Sequence, residues 1–456
     1  MLLLRLSSGP ALRAHDALLR LKRLLRQWGS KHRLGLRGLV VTRYVVSASG
    51  IEPPEELVQL AKGLAEVQRL DGELRLIFRE LEGRELEQRA VDRLLRALRP
   101  KEALAGQKGL VPFGTVLWQG PAKSYAFTGD VSEAAERHGW IKRFPSRGQW
   151  IYTPPMARLV RALAELLAER VAEPLGFELW VFPRLLPFEV LKRLSTYVEH
   201  LPEGMFYVCA PPRDPKAFDE FKREYSLKRV VRADLLKGLL QEPGYVLDAV
   251  QCPPFYQYFS GETVSLEQLP VKAYDYLGGW TWRNEAGGVE GIVRTNEFLR
   301  MEMVMLGRPE EVVELRNGVI DRTVELLDKE LDMEWRVVAG APFYLAPEEA
   351  KRHLVDASSR DKVPTLDIEC YLPYRGARDS SEWLEVTAGT VHRTFYVEAF
   401  KIRELKGRPI WTGCIGHGLS RWAAAFLARH GFESDNWPAE VRRRFGRPRP
   451  PLGLHA

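Results

Sequence analysis

Four cysteines in 456 residues is a low count, and Cys209, Cys252, Cys370 and Cys414 form neither a CxxC pair nor a dense framework. That excludes a disulfide-stapled secreted scaffold and predicts free, buried thiols in a reducing interior. No apolar run approaches the roughly 18 residues of a membrane span. The opening MLLLRLSSGPALR is Arg-rich, but its apolar stretch is too short for a secretory signal, and it resembles a transit peptide only weakly. A soluble, cytoplasmic protein is the expectation. Acid is scarce at one end, where residues 1–40 hold nine Lys/Arg against Asp16 alone. The net charge of +7 allows a polyanionic partner without requiring one. The length exceeds one ordinary core and predicts two or three domains.

In that basic stretch Ala14, Leu18, Leu21, Leu25 and Trp28 recur at helical spacing, with Arg13, Arg20, Arg23 and Arg26 among them. Such a helix suits nucleic-acid phosphate or simply a solvated face. Segments 34–49 and 72–81 alternate like strands, 85–99 reads as a helix, and 99–109 as a connection. An α+β amino-terminal module over residues 1–145 follows. A second unit, 146–456, opens on Thr153 as a cap and Pro154 at the first helical position. Its helix carries the stripe Leu159, Leu163, Leu166 and Arg170, with an apolar face that continues through Val160 and Leu167, and stops by Pro174. Further on, strands around 364–374 and 382–403 follow a helix from Pro309 and a helical patch at 347–357. PIWTGCIGHGLSRWAAAFLARHG then reads as strand, Gly-rich turn and helix closed by Gly431. Hairpin-linked strands segregated from helices predict a mainly antiparallel sheet, not a doubly wound one. The Arg-rich tail, with Arg442, Arg443 and Arg444 before its prolines, is expected to be mobile.

The stretch 280–307, WTWRNEAGGVEGIVRTNEFLRMEMVMLG, carries the most chemistry. It reads as two strands around a turn at Gly287-Gly288. Side chains two apart share a face at roughly 6.5–7 Å, so Arg283 pairs with Glu285. In the second strand Arg294, Phe298 and Glu302 share one face, and Leu299, Met301, Met303 and Met305 the other. A nucleotide floor needs cations for phosphates, an aromatic for the base and a carboxylate for an amine. Salt-bridged strands on a half-buried sheet fit the same pattern, and the pattern alone leaves both open.

GFELWVFP (176–183), WRNE with RTNEF (282–298) and GCIGHGLSR (413–421) resemble, in that order, motifs 1, 2 and 3 of class II aminoacyl-tRNA synthetases. The motifs span about 154–187, 280–307 and 409–431. Together with RGQWIYTP, YVCAPPRDP, VQCPPF and CYLPYRG they resemble the zinc-dependent archaeal, or type-2, seryl-tRNA synthetases. The likeness is dense over 147–446 and thinner over 13–40, where it reaches that family's tRNA-binding domain. It implies an α+β fold, a class II antiparallel catalytic domain with flanking helices behind an α+β tRNA-binding domain. It implies serine–tRNA ligase activity, with ATP, serine and tRNA as partners, and a homodimer closed through motif 1.

The resemblance also assigns roles. Arg283 bridges the α-phosphate and the substrate carboxylate, a task suited to a rigid guanidinium fork. Glu285 accepts from the adenine amine, Phe298 stacks on the base, Arg421 covers its other face, and Arg294 holds the γ-phosphate. Glu385 lies near the magnesium that accompanies ATP. Cys252, Glu302 and Cys414 match the ligands of a catalytic zinc, one per subunit, whose fourth position receives the α-amine. These three are 50 and 112 residues apart, and no spacing rule unites them. Cys209 and Cys370 receive no metal role.

Departures are equally specific. The family's serine pocket uses Trp, Gln, Asn and Ser, where this chain has Phe343, Pro347, Ala388 and Thr390. Only Thr390 keeps a hydroxyl, and a pocket that cannot hydrogen-bond a hydroxyl discriminates poorly. Ser420 replaces the acid that usually precedes the motif 3 arginine, and the amino-terminal domain is expected to be shorter than the family's, without its first segment. Two alternatives stay open: a paralogue loading glycine or alanine onto a carrier protein, and a non-catalytic regulatory or RNA-binding paralogue.

Overall fold

A computed structural model describes residues 4–8, 13–32, 34, 40–49, 65–70, 73–82, 91, 109–284, 288–342 and 353–448. They form two compact units, Met1–Lys108 and Gly109–Ala456. The smaller holds the helix Ala14–Lys31 and an antiparallel sheet in the order Val40–Ser49, Glu73–Glu82, Glu66–Leu70. Leu74, Leu76, Phe78 and Leu81 are its buried centre, and Leu18 and Leu19 of the helix pack against them. The basic helix therefore spends one edge of its stripe on this core, while Trp28 stays exposed. The strand 66–70 had no counterpart in the sequence reading, and the helix expected over 85–99 falls almost wholly outside the described residues, with only Val91 described.

The larger unit is built on nine strands. In chain order they are β1 (Val116–Gln119), β2 (Glu178–Leu179), β3 (Val271–Asp275), β4 (Trp280–Trp282), β5 (Glu297–Gly307), β6 (Trp335–Ala339), β7 (Thr365–Cys370), β8 (Leu384–Arg393) and β9 (Trp411–Gly418). Across the sheet the order is β1-β6-β7-β8-β9-β5-β3-β2, with β4 added to β5. Every pairing is antiparallel except β3 with β2. Because β1 hydrogen-bonds β6, residues 116–119 belong to this sheet, and the larger unit starts at Gly109, ahead of the boundary near 146 that element order suggested.

The helices α1 (Pro154–Leu167), α3 (Pro309–Glu325) and α5 (Leu419–His430) pack against one face. The α1 stripe Leu159, Val160, Leu163, Leu166, Leu167 is buried there with Met301, Met303 and Met305 of β5 and Trp422 and Phe426 of α5. Thr153 does precede α1 in extended conformation, but its hydroxyl makes no cap bond and donates to the carbonyls of Gly139 and Trp140 at 2.8 and 2.9 Å. Gly431 closes α5 with φ near 71°, a conformation that costs a glycine nothing. On the other face the short helices α2 (Pro253–Tyr258) and α4 (Phe395–Ala399) build a second core from Phe255, Tyr256, Tyr396, Phe400, Val304 and Leu306.

Two expectations are corrected. The Arg-rich tail is ordered through residue 448: a helix Ala439–Phe445 buries Val441 and Phe445, and Arg444 forms ion pairs with Glu169 and Glu165. Phe445 stacks on Trp140 at 5.7 Å between ring centroids. Within the expected helical patch, residues 354–356 form a strand instead, because Leu354–Asp356 pairs with Leu110–Pro112.

Candidate active site and metal centre

The uncovered part of the second face is a cleft of about 160 Å³ floored by β5, β7, β8 and β9. Strand parity selects its floor. Phe298, Arg300 and Glu302 alternate toward it from β5, and Thr365 and Asp367 from β7. Ala388 and Thr390 reach it from β8, and Cys414, Gly416 and Gly418 from β9. Glu302 stands directly opposite Gly416, whose missing side chain leaves the space that Arg300 fills: a Cβ there would lie 1.9 Å from Arg300 Nη2. A larger apolar cavity of about 580 Å³, between α1 and β4, has no predicted site residue on its walls. We take the charged cleft as the functional one, since only it gathers groups that could handle phosphate, carboxylate and metal.

At one end of the floor Cys252, Glu302 and Cys414 offer ligand atoms within 4.8 Å of one another, all three buried. Cys252 is delivered by a loop that turns into α2 at Pro253. Asp248 Oδ1 fastens that loop by accepting from the N–H groups of Val250 and Gln251. Both carboxylate oxygens of Glu302 are sealed from water with no hydrogen-bond donor, although Arg300 Nε lies 2.7 Å from Oε2 off the bonding direction. Burial pushes the Glu302 carboxyl above its usual range, against the pull of Arg300. The hydrogen bond with Cys252 and then burial hold the Cys414 thiol well above its ordinary value. Each thiol has an outer partner: Tyr396 Oη lies 3.2 Å from Cys252 Sγ, and His392 Nε2 3.3 Å from Cys414 Sγ. Burial drives His392 down to about 3, so its ring is neutral.

Two softer thiols and one carboxylate, with orphaned acceptor oxygens, suit a borderline ion such as zinc and would suit magnesium poorly. A buried carboxylate whose oxygens accept no well-aligned hydrogen bond is costly even beside Arg300, and a cation among these atoms lowers that cost. The residues present fit the metal that the sequence resemblance implies.

At the other end Arg283 follows β4 directly. Its Nε donates to the carbonyl of Ala249 at 3.0 Å, and its guanidinium lies 5.9 Å from the centre of the Phe298 ring. Arg421, in the first turn of α5, donates to the carbonyls of Val293 and Glu385 and lies 3.6 Å from Glu385 Oε1. Both arginines are thus held by backbone acceptors at the border of the cleft, which both line. Burial works against the Arg300 charge, but its acidic neighbours, Glu302 foremost, outweigh it and raise the guanidinium above its usual range.

Of the predicted residues, the cleft gathers Arg283, Phe298, Glu385, Ala388, Thr390, Arg421 and the three metal ligands. Arg294 does not line it; it bridges to Glu290 before β5 begins and lies 3.6 Å from Glu382. The two-strand hairpin is correspondingly looser than read from sequence, with β4 and β5 separated by residues 283–296. Glu285, Phe343 and Pro347 lie outside the described residues. Arg300, Thr365 and Asp367 were not singled out from sequence, although Arg300 sits in a period-two run between Phe298 and Glu302.

A largely antiparallel sheet of this order, ending in a strand that runs straight into an arginine-bearing helix, is the architecture of class II aminoacyl-tRNA synthetases. Residues 240–430 match the tRNA synthetase class II core domain (G, H, P, S and T), and residues 1–100 match a tRNA-binding domain. A cytoplasmic serine–tRNA ligase from Naegleria fowleri, solved with AMP, shares the fold at TM-score 0.57 and 13% identity over 79% of this chain and 70% of that one. Nearer in sequence are type-2 serine–tRNA ligases. That of Methanopyrus kandleri is 41% identical over 95% of this chain and 83% of its own length. That of Methanothermobacter thermautotrophicus is 41% identical over 97% and 85%. The solved complex of M. kandleri SerRS with A. aeolicus tRNASec aligns at TM-score 0.72 and 40% identity, covering 97% of this chain and 86% of that one. The chain belongs to the type-2 serine–tRNA ligase family and is an aminoacyl-tRNA synthetase.

Proposed function

We propose that the chain joins serine to AMP at the expense of ATP and passes the seryl group to the 3′-terminal ribose of tRNA. The observation that carries this reading is the meeting of Cys252, Glu302 and Cys414 beside Arg283 in one cleft of a class II core. Attack of the serine carboxylate on the α-phosphorus spreads negative charge over phosphate oxygens, so catalysis is chiefly positioning and charge stabilisation. Arg283, anchored through Nε, presents its other nitrogens between carboxylate and α-phosphate. Phe298 and Arg421 sandwich the adenine, Glu285 reads its amine, and Glu385 stands by the magnesium of ATP, while Arg294, outside the cleft lining, turns from Glu382 to meet the γ-phosphate. Cys252, Glu302 and Cys414 would hold one zinc ion, whose open position supplies a seat for the neutral α-amine of serine. Phe343, Ala388 and Thr390 border the side chain.

The tRNA-binding match over residues 1–100 supports tRNA over a carrier protein as acceptor, and the basic helix within 1–145 supplies charge for its backbone. A homodimer is supported by the exposed apolar run Leu179, Val181 and Leu185 along edge strand β2 and beyond. The free cysteines suit the cytoplasm, and among the described residues no helix is long and apolar enough to cross a membrane. Pyrophosphate exchange over serine, glycine, alanine, threonine and cysteine tests the reading. Serine-dependent exchange is expected, and exchange with none of the five would overturn it.

A further inference from the structure

The cleft floor holds a carboxyl group that the activation chemistry above does not use. Asp367 on β7 faces Ala388 on β8, Ala388 faces Gly416 on β9, and Gly416 faces Glu302 on β5. One straight row therefore links Asp367 to the metal carboxylate across three strand spacings of about 4.8 Å each. Between the two acids the row carries the methyl of Ala388 and the bare Gly416, over which the Arg300 guanidinium lies, so the open stretch is the one over Ala388 beside Asp367. Along its side runs the next row, where Thr365 and Thr390 share a hydrogen bond of 3.1 Å and Cys414 follows.

Asp367 is seated deliberately. Gly340 lies behind it, and a Cβ there would fall 2.2 Å from Asp367 Oδ2. Its Oδ1 is shut off from water yet has no hydrogen-bond partner. Burial first, then Glu385 and Glu369, push this carboxyl well above its ordinary range. A buried acceptor without a donor is costly unless a ligand completes it.

We propose that Asp367 is the specificity-determining residue that accepts a hydrogen bond from the side-chain hydroxyl of the amino acid, with the Thr365–Thr390 pair as the polar wall beside it. The inference rests on the reading of the cleft as an amino-acid-activating site. With the α-amine held at the Glu302 end, a side chain of one carbon and one oxygen crosses Ala388 toward Asp367. A longer side chain meets β7, and an alanine leaves the carboxyl unpaired. The arrangement replaces contact by Ala388 itself, which has no polar atom to offer.

The test is pyrophosphate exchange by the full-length chain, comparing kcat/KM for serine, alanine and glycine. Asp367→Ala is expected to lower serine exchange on the order of 10- to 100-fold. Alanine exchange, the KM for ATP and zinc content should stay within about twofold of wild type, so the serine preference collapses. Equal losses for serine and alanine would overturn the assignment, because a merely structural acid affects both. Should Asp367→Ala not fold, Ala388→Val fills the space over position 388 without replacing either acid. It should suppress serine relative to glycine by at least about tenfold, and an unchanged ratio overturns the proposal equally. Wild-type protein that exchanges with no amino acid refutes the functional reading itself. Active wild type with an unmoved serine preference in the variants refutes only the role of Asp367.

Discussion

Arg184 offers the most exacting test of how the site is held. Its Nη1 lies 3.1 Å from Asp248 Oδ2, its Nη2 contacts Asp275 Oδ2, and its Nε donates to the carbonyl of Gly278 at 2.6 Å. Both carboxylate side chains are fully buried, and Arg184 itself is 12% exposed. Asp248 in turn fastens the loop that delivers Cys252, and Asp275 accepts from the N–H groups of Phe182 and Gly278. One guanidinium thus couples motif 1, the metal-ligand loop and the start of the motif 2 hairpin. Replacing it by methionine keeps most of the stem volume but leaves two buried carboxylates without their cation. Removing one partner of a buried pair costs about 3–5 kcal/mol.

The sign with pH follows from Asp248. Burial already raises its carboxyl, with Arg184 as the main counterweight. Without Arg184 it rises further, so folded Arg184→Met protein holds a proton that the unfolded chain releases near pH 4. Stability then falls as pH rises through that window, by at most about 1.4 kcal/mol per pH unit for one proton. Urea unfolding at pH 7.5 and 5.5 should show a deficit of about 3–5 kcal/mol that is smaller at the lower pH. Zinc retention against a chelator should weaken as the Cys252 loop loosens. A deficit below about 1 kcal/mol, or one equal at both pH values, would refute the argument.

Glu302→Ala should lower zinc content and serine activation together; full zinc occupancy in that variant would remove Glu302 from the ligand set. Gly416→Ala places a Cβ within 2.3 Å of the Arg300 guanidinium carbon. It should cut exchange on the order of 100-fold by misplacing Arg300 while the metal is retained, and near-normal kcat would show that Arg300 swings aside without consequence. Light scattering at micromolar concentration should give a mass of about twice 52.1 kDa, and a clean monomer would remove the proposed motif 1 interface.

Much of this arrangement was legible wherever local periodicity governs. The alternation over 298–305 does divide toward cleft and core, with Phe298 and Glu302 on one side and Met301, Met303 and Met305 on the other. The same period should have drawn Arg300 and, in TLDIEC, Asp367. Parity was instead extended back to Arg294, which precedes β5 and sits in a bridge where strand alternation does not apply. Thr153 marks the start of α1, yet two carbonyls from the preceding turn take its hydroxyl. The tail failed for another reason: its arginines read as solvated charge, while Trp140, Glu165 and Glu169, which hold it, are distant in sequence.

The metal ligands were beyond any local rule, and the sheet order explains why. Glu302 and Cys414 lie on neighbouring strands with 111 residues between them, a span that holds three other strands of the sheet and its covering helix α3. Antiparallel register sets Cys414 opposite Val304, one step of two residues from Glu302, so the pair meets diagonally. What makes the meeting usable is the absence of side chains around it. Gly413, Gly416 and Gly418 alternate with or flank Cys414, and a Cβ at 416 would occupy the volume of Arg300. A thiol in a glycine-rich strand facing a carboxylate strand therefore carries more information than either residue alone. The room that Gly416 yields to Arg300 is as specific as the ligands themselves.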